Sequence, residues 1–144
     1  MSTTGLDTFD RTVQQTNEIL GKIEETFNWQ GRRNQSYAAL RTVIQTLRDR
    51  LPVKQAVNFG SQLPMLVKGI YYEGWDPDKV PMRMDEEEFL NRIRQEFPFS
   101  LREDVNIRDV TKIILTVIMN RISKGEVEDI KANLPEDVAS LVER

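Results

Sequence analysis

The chain has 144 residues, of which 39% are hydrophobic and 30% charged, and its formal net charge is −3. It contains no histidine and no cysteine, which excludes disulfides, thiol chemistry, histidine-dependent nucleophiles and histidine-ligated metal sites. A chain of this length fits one domain, and its core is large enough for the chain to fold without disulfides or a structural metal ion.

The N-terminal part of the chain predicts a tail and a long amphipathic helix. Residues 1–7 are polar and are expected to form a flexible tail, and Asp7 or Thr8 fits the N-cap of the helix. Apolar side chains then recur at alternating spacings of three and four residues, which places them in one stripe. The stripe consists of Phe9, Val13, Thr16, Leu20, Ile23 and Phe27.

A second helix is predicted over residues 35–51, after a break near Gly31. Its apolar side chains lie on one face, and Arg41, Gln45 and Arg48 are expected on the opposite, exposed face. Two short helices follow, each with a proline at its first position, where the missing N–H costs no hydrogen bond. The prolines are Pro52 and Pro64.

A linker is predicted over residues 75–84, where prolines occur without an apolar period. Asp85 is expected to cap the fifth helix, whose buried stripe is formed by Phe89, Ile93 and Phe97. Pro98 is expected to end that helix. The connector that follows is expected to pack its apolar side chains beneath itself, and these are Phe99, Leu101 and Val105.

The sixth helix is predicted over residues 107–122, with Asn106 as its cap. Apolar residues cover most of its circumference, which predicts a central helix. Ser123 and Glu126 form the S-x-x-E pattern of a capping box for the seventh helix, and Pro135 opens the last. No stretch of useful length shows the alternation of a β-strand.

Residues 40–64 recur in degenerate form as residues 111–135, at a constant offset of 71 (111 minus 40). The matched positions are apolar residues at helical spacing and one proline, Pro64 against Pro135. We therefore predict an all-α fold of two pseudo-repeats of about four helices each, packed into one compact helical bundle. The repeats would span residues 8–74 and 85–144.

Four segments make the chain resemble the bacterial family called domain of unknown function 2267. They are YAALRTVIQTLRDRLP (37–52), QLPMLVKGIYYEGWDP (62–77), EEFLNRI (87–93) and GEVEDIKANLP (125–135). The resemblance covers nearly the whole chain. It implies a small, all-helical, soluble bacterial protein, and it implies no activity, cofactor or partner.

The first candidate site is aromatic. Tyr71, Tyr72 and Trp75 stand where the second repeat has ended, so they are an addition to the repeated scaffold. They could form a partner-binding surface, or they could fill the seam between the repeats, as large aromatic residues in small domains usually do. The same two interpretations apply to Trp29.

The second candidate site is basic. Arg32, Arg33, Arg41 and Arg48 belong to a stretch with few acidic residues, and Arg41 and Arg48 are seven residues apart. They could bind nucleic acid or another polyanion, or they could be an ordinary solvated helix face. The overall acidity of the chain favours the second interpretation, a solvated helix face without a binding role.

We predict a non-enzymatic protein-interaction module, with an unknown protein partner or a homodimer, because residue types common in catalysis are missing. The alternative is a binder of nucleic acid or another polyanion, which the net negative charge of the chain disfavours. No metal site is expected, because the consecutive acids 85–88 point about 100° apart on a helix. Without a signal-like or membrane-spanning run of apolar residues, the expected location is the cytoplasm.

Overall fold

The computed structural model describes residues 4–97 and 106–144, which form eight α-helices and one short 3-10 helix without a β-strand. The expectations for Pro98, for Phe99, Leu101 and Val105, and for the start of the tail lie outside these residues. The helices are α1 (Asp7–Phe27), α2 (Arg33–Arg50), α3 (Val53–Ser61), α4 (Met65–Tyr72), α5 (Glu86–Glu96), α6 (Ile107–Met119), α7 (Lys124–Ala132) and α8 (Glu136–Ala139). The all-α prediction is confirmed.

Three helices have the side-chain caps at their N-termini that the sequence predicts. Asp85, Asn106 and Ser123 each accept a hydrogen bond from the backbone N–H three residues later, at 2.8, 3.1 and 3.1 Å. The cap predicted for α1 is wrong, because Asp7 is already helical and the N-cap position is held by Leu6 without a side-chain hydrogen bond. The acidic residues Asp7 and Asp10 in the first turn of α1 still stabilise the helix, because its dipole makes the N-terminal end positive.

The central helix is α2. It packs against α1, α4, α5 and α6, so that every residue from 42 to 49 is buried. The expectation that Gln45 and Arg48 lie on an exposed face is therefore wrong. Their exposed fractions are 7% and 3%, because α4 and α5 cover the side that the apolar pattern leaves to solvent.

Hydrogen bonds compensate for the burial of these polar side chains. Gln45 Nε2 donates to the Ile70 carbonyl at 2.8 Å, and Arg48 Nη1 donates to the carbonyls of Tyr71 and Glu73 at 2.7 and 2.9 Å. The last carbonyls of a helix have no partner within that helix. Two side chains of α2 therefore cap the C-terminal end of α4.

Asp49 carries the compensating charge. Its two carboxylate oxygens accept hydrogen bonds from Arg48 Nε at 2.7 Å and from Arg92 Nη2 of α5 at 2.6 Å. Its backbone carbonyl also accepts a hydrogen bond from the N–H of Met82, in the segment between α4 and α5. One ion-pair network thus joins α2, α4, α5 and the segment that connects them.

The sixth helix is less enclosed than the sequence predicts. One side of α6 is buried against α1, α2 and α5, but Ile113 and Val117 remain partly exposed. The apolar circumference of α6 therefore does not make it the most buried helix. The described part of the chain also contains no helix with the length and apolar character needed to cross a membrane.

Helices α3 and α7 pack against each other and begin 71 residues apart (124 minus 53). Their bounds agree with the offset of the predicted repeat, and the repeat itself stays a prediction.

Only half of the capping box of α7 forms, because the Ser123 N–H donates to Gln62 Oε1 at 2.9 Å. Glu126 Oε1 is buried without a hydrogen-bond partner in the described residues, and burial raises the pKa of Glu126.

Replacement of Asp49 by alanine is expected to destabilise the fold more than the loss of an exposed ion pair. Asp49→Ala leaves the Arg48 guanidinium buried without its counter-charge, which costs about 3–5 kcal/mol. Glu18→Ala, which removes the exposed pair with Arg121, costs about 0–1 kcal/mol. Urea denaturation of both variants measures the difference, and equal losses of stability would contradict the assignment of Asp49 to a buried network.

Candidate functional site

Tyr71 is a core residue. Its side chain is fully buried, its hydroxyl donates to the Ala56 carbonyl at 2.6 Å, and its ring meets the ring of Phe59 edge to face at 5.1 Å. Burial, first of all, raises the pKa of the Tyr71 hydroxyl well above its ordinary value. The side chain joins α4 to α3, and no part of it is available to a partner.

Tyr72 and Trp75 continue this aromatic row towards the surface. The Tyr72 ring lies 4.9 Å from that of Tyr71 and 5.5 Å from that of Trp75, measured between ring centroids. Both side chains are partly buried, and Trp75 Nε1 is buried without a hydrogen-bond partner in the described residues. Gly60 makes the row possible, because a Cβ there would lie 2.7 Å from Tyr72 Cζ.

Trp29 lies apart from that row, just beyond the end of α1. It is 3% exposed and stacks on Phe27 with 4.7 Å between ring centroids. Its backbone N–H donates to the Glu24 carbonyl at 2.7 Å, which holds the turn into α2. Trp29 therefore closes the core at the α1–α2 turn, and its ring does not form a surface for a partner.

The four candidate arginines do not form one basic stripe. Arg48 is buried, and Arg41 pairs with Glu73 at 2.9 Å. Arg33 donates to both carboxylate oxygens of Glu24, at 2.6 and 3.2 Å. Only Arg32 of the four is exposed without an ion pair in the described residues. The guanidinium groups of the other three are paired within the chain, although the exposed Arg41–Glu73 pair contributes little stability.

An apolar groove between α1 and α4 is the site that the sequence does not reveal. It encloses about 520 Å³. Phe9, Met65 and Leu66 on its walls are 46%, 52% and 42% exposed, and such side chains gathered in one groove are more informative than single exposed apolar residues. The complete lining is Thr4, Phe9, Thr12, Val13, Met65, Leu66, Gly69, Ile70 and Glu73.

The groove has a defined shape because its two helices are tied together. The backbone N–H of Leu66, in the first turn of α4, donates to Thr12 Oγ1 of α1 at 2.8 Å. At the other end of α4, the side chains of Gln45 and Arg48 donate hydrogen bonds to the carbonyls of Ile70 and Tyr71. The apolar stripe of α1 thus begins outside the core, because Phe9, its first member, is 46% exposed.

A second, more polar groove of about 710 Å³ lies between α1 and α6. Ile113 and Val117 line it, and Glu18, Lys22 and Arg121 place charges around it. The described part of the chain contains no group of three or more acidic side chains placed to hold a metal ion. The α1–α4 groove is the more apolar of these two grooves.

A family model described as "Uncharacterized conserved protein (DUF2267)" matches residues 16–141. No curated protein matches the chain. The matched region includes α4 and the five lining residues of the groove from Met65 to Glu73, whereas the four lining residues on the α1 side, from Thr4 to Val13, precede it.

The fit between Gly60 and Tyr72 predicts a strong coupling between these residues. Gly60→Ala is expected to cost about 1–3 kcal/mol, because the added methyl group overlaps the Tyr72 ring. In a Tyr72→Ala background part of this cost should disappear, while the contact at 2.9 Å with Cε2 of the buried Tyr71 remains. Thermal unfolding of the two single variants and the double variant measures the coupling, and additive effects would contradict the contact.

The Arg33–Glu24 pair predicts a loss of stability in acid. The hydrogen bond from Arg33, and secondarily that from Ser36, lower the pKa of Glu24 against the opposing effect of burial. The folded chain therefore favours the ionised carboxylate more than the unfolded chain does. This stabilisation is complete above the ordinary pKa of 4.5 and is lost as the pH falls through the lowered value.

Melting temperatures measured across this acidic range should decline less steeply for Glu24→Gln than for the wild type. Glu25→Gln, at the exposed neighbouring position, makes the same change of charge and serves as the control. A decline that Glu24→Gln leaves as steep as in the wild type would show that the pair does not contribute to stability.

Proposed function

The chain belongs to the DUF2267 family, and we propose that it is a non-enzymatic protein-interaction module. The single observation that supports this function best is the apolar groove between α1 and α4, whose large side chains remain about half exposed. A contiguous apolar surface of this kind lowers its free energy when a partner covers it. The bacterial source and the cytoplasmic location stay predictions.

The groove combines features that favour binding of a protein. Its walls belong to two helices that hydrogen bonds hold in place, so little order has to be gained on binding. Of its polar lining residues, Thr4 and Glu73 are exposed, and Thr12 is buried with its hydroxyl bonded to the Leu66 N–H. An apolar centre with a polar rim is the usual arrangement of an interface between proteins.

The aromatic candidates support this proposal indirectly. Tyr71 and Trp29 are buried and maintain the core, whereas Tyr72 and Trp75 cover the junction of α3 and α4. They hold α4 in the position that forms one wall of the groove. We therefore place the partner-binding surface on α1 and α4, and assign the aromatic row to the support of α4.

Binding of nucleic acid or another polyanion has less support. Such binding needs several cations that are free to neutralise phosphates. Arg33 and Arg41 already pair with Glu24 and Glu73, and Arg48 is buried beside Asp49. Most of the positive charge expected on this face is therefore balanced within the chain.

Leu66→Glu is expected to abolish capture of the partner, because it places a charge in the apolar groove. The protein, immobilised on beads, is incubated with a lysate of its source cells, and the captured proteins are identified by mass spectrometry. Val53→Glu is the matched control: Val53 and Leu66 are both 42% exposed and both lie in the first turn of a helix, where a glutamate is favourable.

Wild type and Val53→Glu should recover the same proteins, and Leu66→Glu should lose them while its melting temperature stays close to that of the wild type. Recovery of the same proteins by all three would exclude the groove as the binding surface. If the wild type captures no protein beyond those that bind to empty beads, the proposed function is contradicted.

A further inference from the structure

Gly69 lies in the middle of α4 and lines the α1–α4 groove. A glycine inside a helix costs about 1 kcal/mol relative to alanine. A Cβ at Gly69 would meet no heavy atom within 4 Å, so packing inside the chain does not require glycine there. Gly60 is the opposite case, because the Tyr72 ring occupies the space of its missing side chain.

Open space alone does not distinguish Gly69, since Gly21 and Gly125 also have no neighbour within 4 Å. Its position in the groove distinguishes it. Met65 and Leu66 stand one turn before it, and Phe9 and Val13 face it from α1, so the glycine leaves a gap between exposed apolar side chains. A gap of this kind allows the backbone of another element to approach closely.

We propose that the α1–α4 groove seats an amphipathic helix of a partner protein, and that this helix crosses α4 at Gly69. This inference rests on the proposed function and specifies its partner. Apolar side chains of the bound helix, spaced three and four residues apart, would contact Phe9, Met65 and Leu66. The bound backbone would lie against the Gly69 Cα.

The area of the groove favours a single helix over a second copy of the chain. Large side chains have about 150–250 Å² of surface each, so Phe9, Met65 and Leu66, at 42–52% exposure, present roughly 200–350 Å² in total. A stable dimer needs about 800 Å² from each partner. The groove is too small for such a dimer, whereas one helix could cover its apolar walls.

The charge at the margin of the groove indicates the polar face of this helix. The Glu73 carboxylate lines the groove and its side chain is 63% exposed. Thr4, also at the margin, donates its N–H and its hydroxyl to Asp10 Oδ1 at 2.9 and 2.7 Å. Glu73 and Asp10 place two carboxylates near the rim, so a helix with lysine or arginine on its polar face fits better than one with acidic residues there.

The probe for this proposal is a fluorescein-labelled leucine–lysine peptide of about five helical turns, with its leucines on one face. A leucine–glutamate peptide of the same pattern tests the charge. A scrambled leucine–lysine peptide, which has no apolar face, tests the need for a helix. Binding is measured by fluorescence anisotropy with wild type, Gly69→Leu and Gly125→Leu.

Gly69→Leu should weaken binding of the leucine–lysine peptide by at least about tenfold, because its side chain occupies the gap where the two helices cross. The protein should remain folded, with a melting temperature at or above that of the wild type, because leucine is a better helix former than glycine. Gly125→Leu, an equal change at an open position of α7, should bind as the wild type does. Neither variant alters the net charge.

Three results would overturn the proposal: equal binding by Gly69→Leu and wild type, equal binding of the scrambled peptide, or tighter binding of the leucine–glutamate peptide. Lysate capture separates this failure from that of the proposed function. If Leu66→Glu loses the partner while Gly69→Leu retains it, the groove binds a protein but not a helix crossing at Gly69. If both variants retain it, the groove is excluded as the binding surface; the proposed function itself fails only if the wild type captures no protein.

Discussion

The buried pair formed by Arg48 and Asp49 determines how the helices of this protein are arranged. Both residues belong to α2, which is enclosed on all sides over residues 42–49. Two charges in such a place are tolerated only if hydrogen bonds replace the lost water. Arg48 finds these partners at the end of α4, and Asp49 finds a second guanidinium on α5. The two charges thus determine where α4 and α5 pack against α2.

This arrangement connects the centre of the bundle to its surface. With Gln45 and Arg48 capping its last carbonyls, α4 continues to Tyr72 and presents Met65, Leu66 and Gly69 beside α1. The positions 71 residues after these two capping residues are Thr116 and Met119, which cannot supply the same donors. The predicted repeat would make α8 the counterpart of α4, and α8 has four residues where α4 has eight. The groove therefore belongs to the half of the chain that carries the buried arginine.

Much of the fold follows from the sequence, because local signals agree with the packing. Asp85 and Asn106 cap their helices as short polar residues before an apolar period should, and Phe89 and Ile93 are fully buried. Burial of Arg48 could not be predicted in this way. An arginine opposite an apolar face is normally solvated, and only the arrival of α4 and α5 on that side changes its environment.

The groove escaped prediction for a related reason. Phe9 continues the same stripe as Ile19 and Ile23, and periodicity alone does not tell a buried position from an exposed one. Whether the stripe is covered depends on how far α4 extends along α1, which is a tertiary property. The same applies to Ile113 and Val117 of α6, which an apolar circumference places in the core and the packing leaves partly exposed.

Amide hydrogen exchange of Arg48→Met tests most directly whether α2 holds α4 in place. Methionine keeps most of the length of the side chain and removes its donors and charge. We expect exchange to accelerate more in residues 65–75 than in residues 124–132, because α4 loses its C-terminal cap while α7 keeps its contacts with α3. An equal acceleration in both segments, or none in residues 65–75, would contradict the account.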